Sequence, residues 1–483
     1  MFKTWLCVVC GLIYDEALGW PDDGIIAGTR WDDVPEDWKC PECGVGKDDF
    51  EMLDISPVVA AAAVSAPVAA SVAAPVSAQA LTATAKPAAA QAQPLATQPR
   101  QPIVIIGSGY AGYGLAQALR RADPLVEIRV LTQESGHLYS KPALSIGLAQ
   151  GKSAAALSGE SALAIEKRLK IRVYPYCSVE RIDAVARRLH TNIGEMEYGQ
   201  LVLASGAAPI RLPIEGDSAA LLSVNNLHDY RSFRERLVGV QRVAILGDGL
   251  IGCEFANDLA SSGFQVSVIG LGQWPMERLL PVEAGQQLQA ALGELGVSWH
   301  LQNTVQRIDS AEQGYRLTLA DGQRLEADLV LSAVGLRPNL SLAETAGAVV
   351  GRGIQVDAQL QTSQPGIFAL GDCIEIDGQL LPYLAPINQG IQALSKTLLG
   401  QPTAVSYPLM PVTVKTPAAP LCLLPPAAGR AGEWRCTRTD DGLSAGYYDA
   451  EGALHGFVLL GRQAQLQRNS WLQSCQNAQR AVA

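Results

Sequence analysis

Glycine spacing does most to limit what this chain can fold into. Two segments, PIVIIGSGYAGYGLAQAL and RVAILGDGLIGCEFANDLA, each place G-x-G-x-x-G between a short apolar run and a helical pattern. The first set is Gly107, Gly109 and Gly112; the second, 140 residues on, is Gly247, Gly249 and Gly252. In such a set the first glycine turns the chain out of a strand and the second lets backbone approach a pyrophosphate. The third lets helix pack on strand, and the helix N-terminus then faces the anion. One set is a moderate signal; two in one chain imply two bound dinucleotides. Glu134 lies 22 residues past Gly112, at the end of EIRVLT, where a carboxylate would accept ribose hydroxyls. The second unit's next strand, FQVSVIGL, ends with Gly270 where an acid is common, and no arginine follows at once. NADH and NADPH therefore both stay open.

A different pattern governs the N-terminus. Cys7 and Cys10 in CVVCG, with Cys40 and Cys43 in CPECG, give C-x2-C-x29-C-x2-C. Four thiolates around one tetrahedral ion suit iron or zinc, and Gly11 and Gly44 permit the tight turns. The spacing does not choose between the metals. Cys177, Cys253, Cys373, Cys422, Cys436 and Cys475 show no disulfide-framework spacing. MFKTWLCVVC does not read as an export signal. No run of about 20 strongly apolar residues occurs, so a reducing, cytoplasmic location is expected. His137, His190, His228, His300 and His455 show no metal or triad spacing.

Composition then divides the chain. At 483 residues roughly three domains are expected. The net charge is −10, and residues 1–54 hold almost all of it, with four Lys/Arg against thirteen Asp/Glu. That balance excludes nucleic acid as a partner, since phosphate binding needs a basic face. Residues 55–101 are Ala, Val, Pro, Ser and Gln with a proline about every ten residues, too poor in large apolar groups to fold. They read as a tether that keeps one domain concentrated near the other. From Ile103 onward, short β-branched runs alternate with helical patterns, as in an α/β protein.

Residues 1–54 resemble rubredoxin along their whole length: the two knuckles, YDE after the first, GTRWDDVPEDW before the second and GVGKDDFE after it. The resemblance implies one iron ion on Cys7, Cys10, Cys40 and Cys43, cycling between Fe(III) and Fe(II). Zinc would have no redox chemistry. From residue 102 to about 420 the chain resembles the FAD-dependent pyridine nucleotide-disulfide oxidoreductases. Within them it looks most like the rubredoxin reductases, on YSKPALS, GLIGCEFANDL, SAVGLRPN and PVTVKTPAAPL. No C-x2-C or C-x4-C pair follows Gly112, so the dithiol relay of the disulfide-reducing branch is missing.

The implied architecture is multi-domain: a small rubredoxin-like metal-bound β domain (1–54), a linker (55–101), and an α/β two-dinucleotide flavoprotein. The latter divides into FAD-binding parts at 102–213 and 334–405, an NAD(P)H-binding domain at 214–333 and a small C-terminal α/β domain at 406–483. LVLASGAAP and LVLSAVGLRPN look like the crossings between FAD and NAD domains, and Gly371 and Asp372 in ALGDC resemble the contact to the FAD ribityl chain. The resemblance further implies that Lys141 pairs with Glu254 beside the flavin. Lys415 is expected as a second cation near the ring's pyrimidine end.

The function expected is electron transfer from NADH or NADPH to FAD and on to a rubredoxin iron, the chain's own or that of free rubredoxin. Onward partners would be a membrane alkane hydroxylase or a diiron protein that reduces oxygen or nitric oxide. A competing reading makes the rubredoxin a docking or metal-sensing module, with the flavoprotein reducing another acceptor. An NADH peroxidase or oxidase would need a cysteine near Lys141, and none is there.

Overall fold

The computed structural model describes residues 3–7, 13–17, 19–38, 40, 46–47, 50–53 and 101–482. Cys10, Cys43, Gly11, Gly44 and all of the expected linker except Gln101 lie outside the described residues. In the N-terminal unit β1 (Thr4–Cys7) runs antiparallel between β2 (Ile13–Asp15) and β3 (Phe50–Leu53). Tyr14, Trp31, Trp38 and Phe50 pack together with ring centroids 4.8 to 6.0 Å apart. Aromatic area does here what leucines do in larger cores. Glu16 is buried beside them and accepts hydrogen bonds from the backbone N–H of Lys3 and Trp31, Trp5 Nε1 and Arg30 Nη1, at 2.8 to 3.0 Å. Burial alone would raise its pKa, but these donors outweigh burial and hold the carboxyl at about 2.

The first glycine set follows β4 (Ile103–Ile106), which is buried on both faces as a central parallel strand must be. One side of β4 carries β5 (Ile128–Leu131) and then β6 (Arg172–Tyr174); the other carries β7 (Gln200–Leu203) and the strand Ile367–Ala369, all parallel. Out of β4 comes α1 (Tyr110–Ala122), whose Ala111, Leu115 and Leu119 form one buried stripe at i, i+4, i+8. It stops at Asp123 before Pro124. The second set repeats this plan with β8 (Leu221–Leu222), β9 (Arg242–Leu246), β10 (Gln265–Ile269), β11 (Val297–His300) and β12 (Leu329–Ser332), in parallel order β8-β12-β9-β10-β11. Its helix, α2 (Leu250–Ser261), leaves from the end of β9. Between the two units the chain crosses on Ala207–Pro209 and returns on Leu336–Pro338, and these segments pair antiparallel.

After the return comes α3 (Leu384–Leu398), lying against α1 so closely that a Cβ at Gly114 would meet Ile391 Cδ1 at 2.5 Å. The C-terminal unit is a five-stranded antiparallel sheet ordered 412–414, 421–424, 454–460, 443–448, 433–438. Leu421, Leu423, Ala445 and Val458 on one face join the core of the second Rossmann unit. Cys422, Leu424, Phe457 and Leu459 on the other pack with Trp471 and Cys475 of α4 (Arg468–Val482). LCLL and FVLL read as unbroken apolar runs because both faces are covered. Among the described residues no helix is long and apolar enough to cross a membrane.

Candidate dinucleotide cleft and its charged wall

The third glycine of each cradle lies too close to the first to carry a side chain. A Cβ at Gly112 would sit 2.0 Å from Gly107 O, and one at Gly252 would sit 2.0 Å from Gly247 O. At Gly109 and Gly249, which cap α1 and α2, a Cβ would meet nothing within 4 Å among the described residues, and among these neither helix start has a side-chain cap. Both N-termini thus present unsatisfied N–H groups to open space, as a pyrophosphate requires. They open into one cleft of about 3160 Å³. An ordinary ligand pocket holds roughly 300–1,000 Å³, so this one has room for two extended dinucleotides. Glu134, Lys141, Glu254, Gly371, Asp372 and Lys415 all line it, together with Gly107, Gly109, Gly247 and Gly249. Gly112 and Gly252 stand behind the wall.

Lys141 begins a short 3-10 turn, Lys141–Ser145. Burial pulls its ammonium below the usual lysine range, while Asp372, Glu134 and Asp229 work the other way. Asp372 is pushed up by burial, with Lys141 opposing. Glu134 accepts from Tyr139 Oη at 3.2 Å.

The expected Lys141–Glu254 pair is not formed. Glu254 is wholly buried on α2 and takes Lys415 Nζ at 2.7 Å, Lys415 N at 2.9 Å and Ser145 Oγ at 2.6 Å. Three donors occupy the carboxylate before Lys141 could reach it. For the same reason Lys415 is not a second independent cation: its side chain is 11% exposed and its charge is matched by Glu254. Lys141 instead faces the carboxylates of the first unit.

Sequence reasoning missed the two companions of Glu254. Asn257 Oδ1 accepts Ala418 N at 3.1 Å, and the Asp258 carboxylate accepts Leu148 N at 3.1 Å and Ala149 N at 2.8 Å. Positions 254, 257 and 258 share one face of α2 (i, i+3, i+4), all buried. Burial raises Asp258 to a pKa of about 6, against the two backbone donors. This polar face pins three parts of the molecule: the 141–149 segment of the first unit, α2 itself and the 415–418 turn of the C-terminal unit.

At the N-terminal unit, Cys7 and Cys40 are both buried in the aromatic cluster. Soft sulfur at two positions of the expected set fits a thiolate-bound ion. Two contacts tie this unit to the reductase. Leu384, the first residue of α3, packs against the aromatic cluster, and Cys7 lines the same cleft as Lys141.

Two parallel sheets, each ending in a glycine cradle over one shared cleft, define a two-dinucleotide oxidoreductase. Residues 101–394 match the family model described as pyridine nucleotide-disulphide oxidoreductase, and the chain belongs to that family. Residues 4–50 match rubredoxin and residues 404–475 a rubredoxin binding C-terminal domain. Such a chain takes FAD and NAD(P)H in its reductase and iron in its rubredoxin. It is 45% identical to a rubredoxin-NAD(+) reductase of Acinetobacter baylyi, over 76% of this chain and 96% of that one. It is 44% identical to a nitric oxide reductase FlRd-NAD(+) reductase of Aeromonas hydrophila, over 75% and 93%. Among solved structures, a ferredoxin reductase from Rhodopseudomonas palustris superposes with a TM-score of 0.69 at 26% identity, covering 76% of this chain and 93% of that one.

Proposed function

We propose that this chain, a rubredoxin–NAD(P)+ reductase, delivers electrons from a nicotinamide dinucleotide to its own N-terminal iron rather than only to a separate rubredoxin. When bound, FAD supplies the change from two-electron to one-electron chemistry, and a four-thiolate iron takes electrons singly. The residues do the holding. The N–H groups at the starts of α1 and α2 bind the two pyrophosphates, Glu134 the ribose of the first, and Gly371 and Asp372 the chain that leads to its ring. Lys141 lies in the cleft facing Asp372, where its ammonium form would be suited to steadying negative charge that develops there. Glu254 and Lys415, as a neutral pair, fix the cleft wall.

The observation that carries the intramolecular reading is that buried Cys7 lies in the wall of this cleft while Leu384 packs the aromatic cluster against the start of α3. Electrons would pass on to a terminal oxygenase or reductase, an alkane hydroxylase or a diiron protein acting on oxygen or nitric oxide.

Stopped-flow absorbance under anaerobic conditions tests this, with NADH added to the full chain at several protein concentrations. Intramolecular delivery gives an iron-thiolate bleaching rate that does not change on dilution. A rate that scales with protein concentration, or iron that stays oxidised after the flavin bleaches, rejects it.

A further inference from the structure

The first two strands of each Rossmann unit pair in the same register relative to the glycine set, which locates what the second unit lacks. Ile106 pairs with Leu131 just before Gly107, and Leu246 pairs with Ile269 just before Gly247. Counting on from the paired residues, Thr132 corresponds to Gly270 and Glu134 to Gly272. In the first unit Ser108 Oγ donates to Thr132 Oγ1 at 2.8 Å, and the acid stands two residues later at Glu134. In the second, both strand-end positions are glycine and the acid stands in the turn, as Asp248.

Asp248 fills the space those glycines leave. A Cβ at Gly270 would lie 2.3 Å from Asp248 Cγ, and one at Gly272 would lie 2.6 Å from its Oδ2. Gly272 N–H donates to Oδ2 at 2.9 Å, and Met276 N–H donates to the Asp248 carbonyl at 2.9 Å. The 270–276 loop is thereby folded around this one residue. Among the described residues Oδ1 receives no hydrogen bond, and Asp248 lines the cleft. The carboxylate is thus fixed by one oxygen and offers the other where the strand-end acid of a Rossmann unit meets the adenosine ribose.

We propose that Asp248 is the specificity-determining residue of the nicotinamide dinucleotide site. It accepts the ribose 2′-hydroxyl and repels a 2′-phosphate, which makes NADH the preferred donor. The inference rests on the reading of the second Rossmann unit as that site. An exposed cation, Arg278, also lines the cleft and would favour a 2′-phosphate. Asp248 is held in place by the backbone, whereas among the described residues Arg278 makes no ion pair, so the fixed charge decides.

Titration calorimetry on the FAD-loaded full chain tests this, using ADP-ribose and 2′-phospho-ADP-ribose, with kcat/KM for NADH and NADPH measured alongside. The unaltered protein binds ADP-ribose more tightly by at least about tenfold, as expected of a like-charge penalty. Asp248→Asn keeps an acceptor for Gly272 N–H but loses the charge, and it narrows that ratio to within about threefold, chiefly by tighter binding of the phosphorylated ligand. Asp248→Ser, which copies Ser108, gives the same shift should the amide variant not fold. Equal affinities in the unaltered protein, a preference for the 2′-phosphate, or a ratio unmoved in both variants would falsify the proposal. Binding of neither ligand would instead remove the site assignment on which it rests.

Discussion

The helices α1 and α2 start from identical cradles and end in different employment. Both pack a third glycine 2.0 Å, measured from the missing Cβ, from the carbonyl of the first. Two residues later they part. Gly114 of α1 lets Ile391 of α3 come close, so this helix is set into the interior of its own unit by apolar contact. At the matching position α2 has Glu254, and after it Asn257 and Asp258 where α1 has Gln117 and Ala118. Side chains that would normally face water are closed in by neighbouring units. A dinucleotide cradle therefore constrains only the first turn of its helix; the next turns are free to build a core or a joint.

The largest expected effects separate the two cradles. Gly112→Ala should yield protein without FAD, seen as a missing flavin spectrum. Gly252→Ala should keep its flavin but slow NADH-driven bleaching by about 100-fold or more, a cost typical of a misplaced reactant. If either variant loses both cofactors, the cradles are not independent.

Next in size is the joint. Glu254→Gln leaves the Lys415 ammonium buried without its counter-charge and should lower stability by about 3 kcal/mol, read from denaturant midpoints. Glu254→Met with Lys415→Met should recover much of that loss, because no charge is then stranded. A smaller effect depends on pH. Asp258 has the ordinary pKa of 3.8 when unfolded and about 6 in the fold. The fold favours its protonated form, so the contribution is full below about pH 4 and is lost as pH rises through 6, by roughly 2–3 kcal/mol. Asp258→Asn should flatten that part of the stability profile while giving up about 1 kcal/mol of hydrogen bonding to Leu148 and Ala149. Nothing at Ala118 of α1 would produce such a slope.

Smallest is Glu134→Gln, at an exposed side chain. It should weaken FAD retention about fivefold, measured by flavin release on dilution. A matching change at Asp248 acts on the other dinucleotide, which sharpens the contrast between the two acids.

The cradles and the crossing segments were legible because each depends on residues a few positions apart. Gly112 is forced by a clash with Gly107 five residues back, and Gly107 by a turn that needs a φ of 120°. The partner of Glu254 was not legible, since it depends on where residue 415 arrives after 161 intervening steps. Nor was the burial of Asn257 and Asp258, whose spacing looks like the wet face of an amphipathic helix until the C-terminal unit covers it. Sequence alone points to Gly270 for the acid of the second unit; strand register makes Gly272 the equivalent of Glu134, with Asp248 filling the space beside it.

Because Glu254 is satisfied jointly by Ser145 and by Lys415, the C-terminal sheet is not a detachable cassette. A chimera that exchanged this sheet to suit another electron carrier would have to import a basic residue at the graft point. Otherwise it would strand a buried carboxylate, so a change of clientele is chemically linked to the wall of the cofactor chamber.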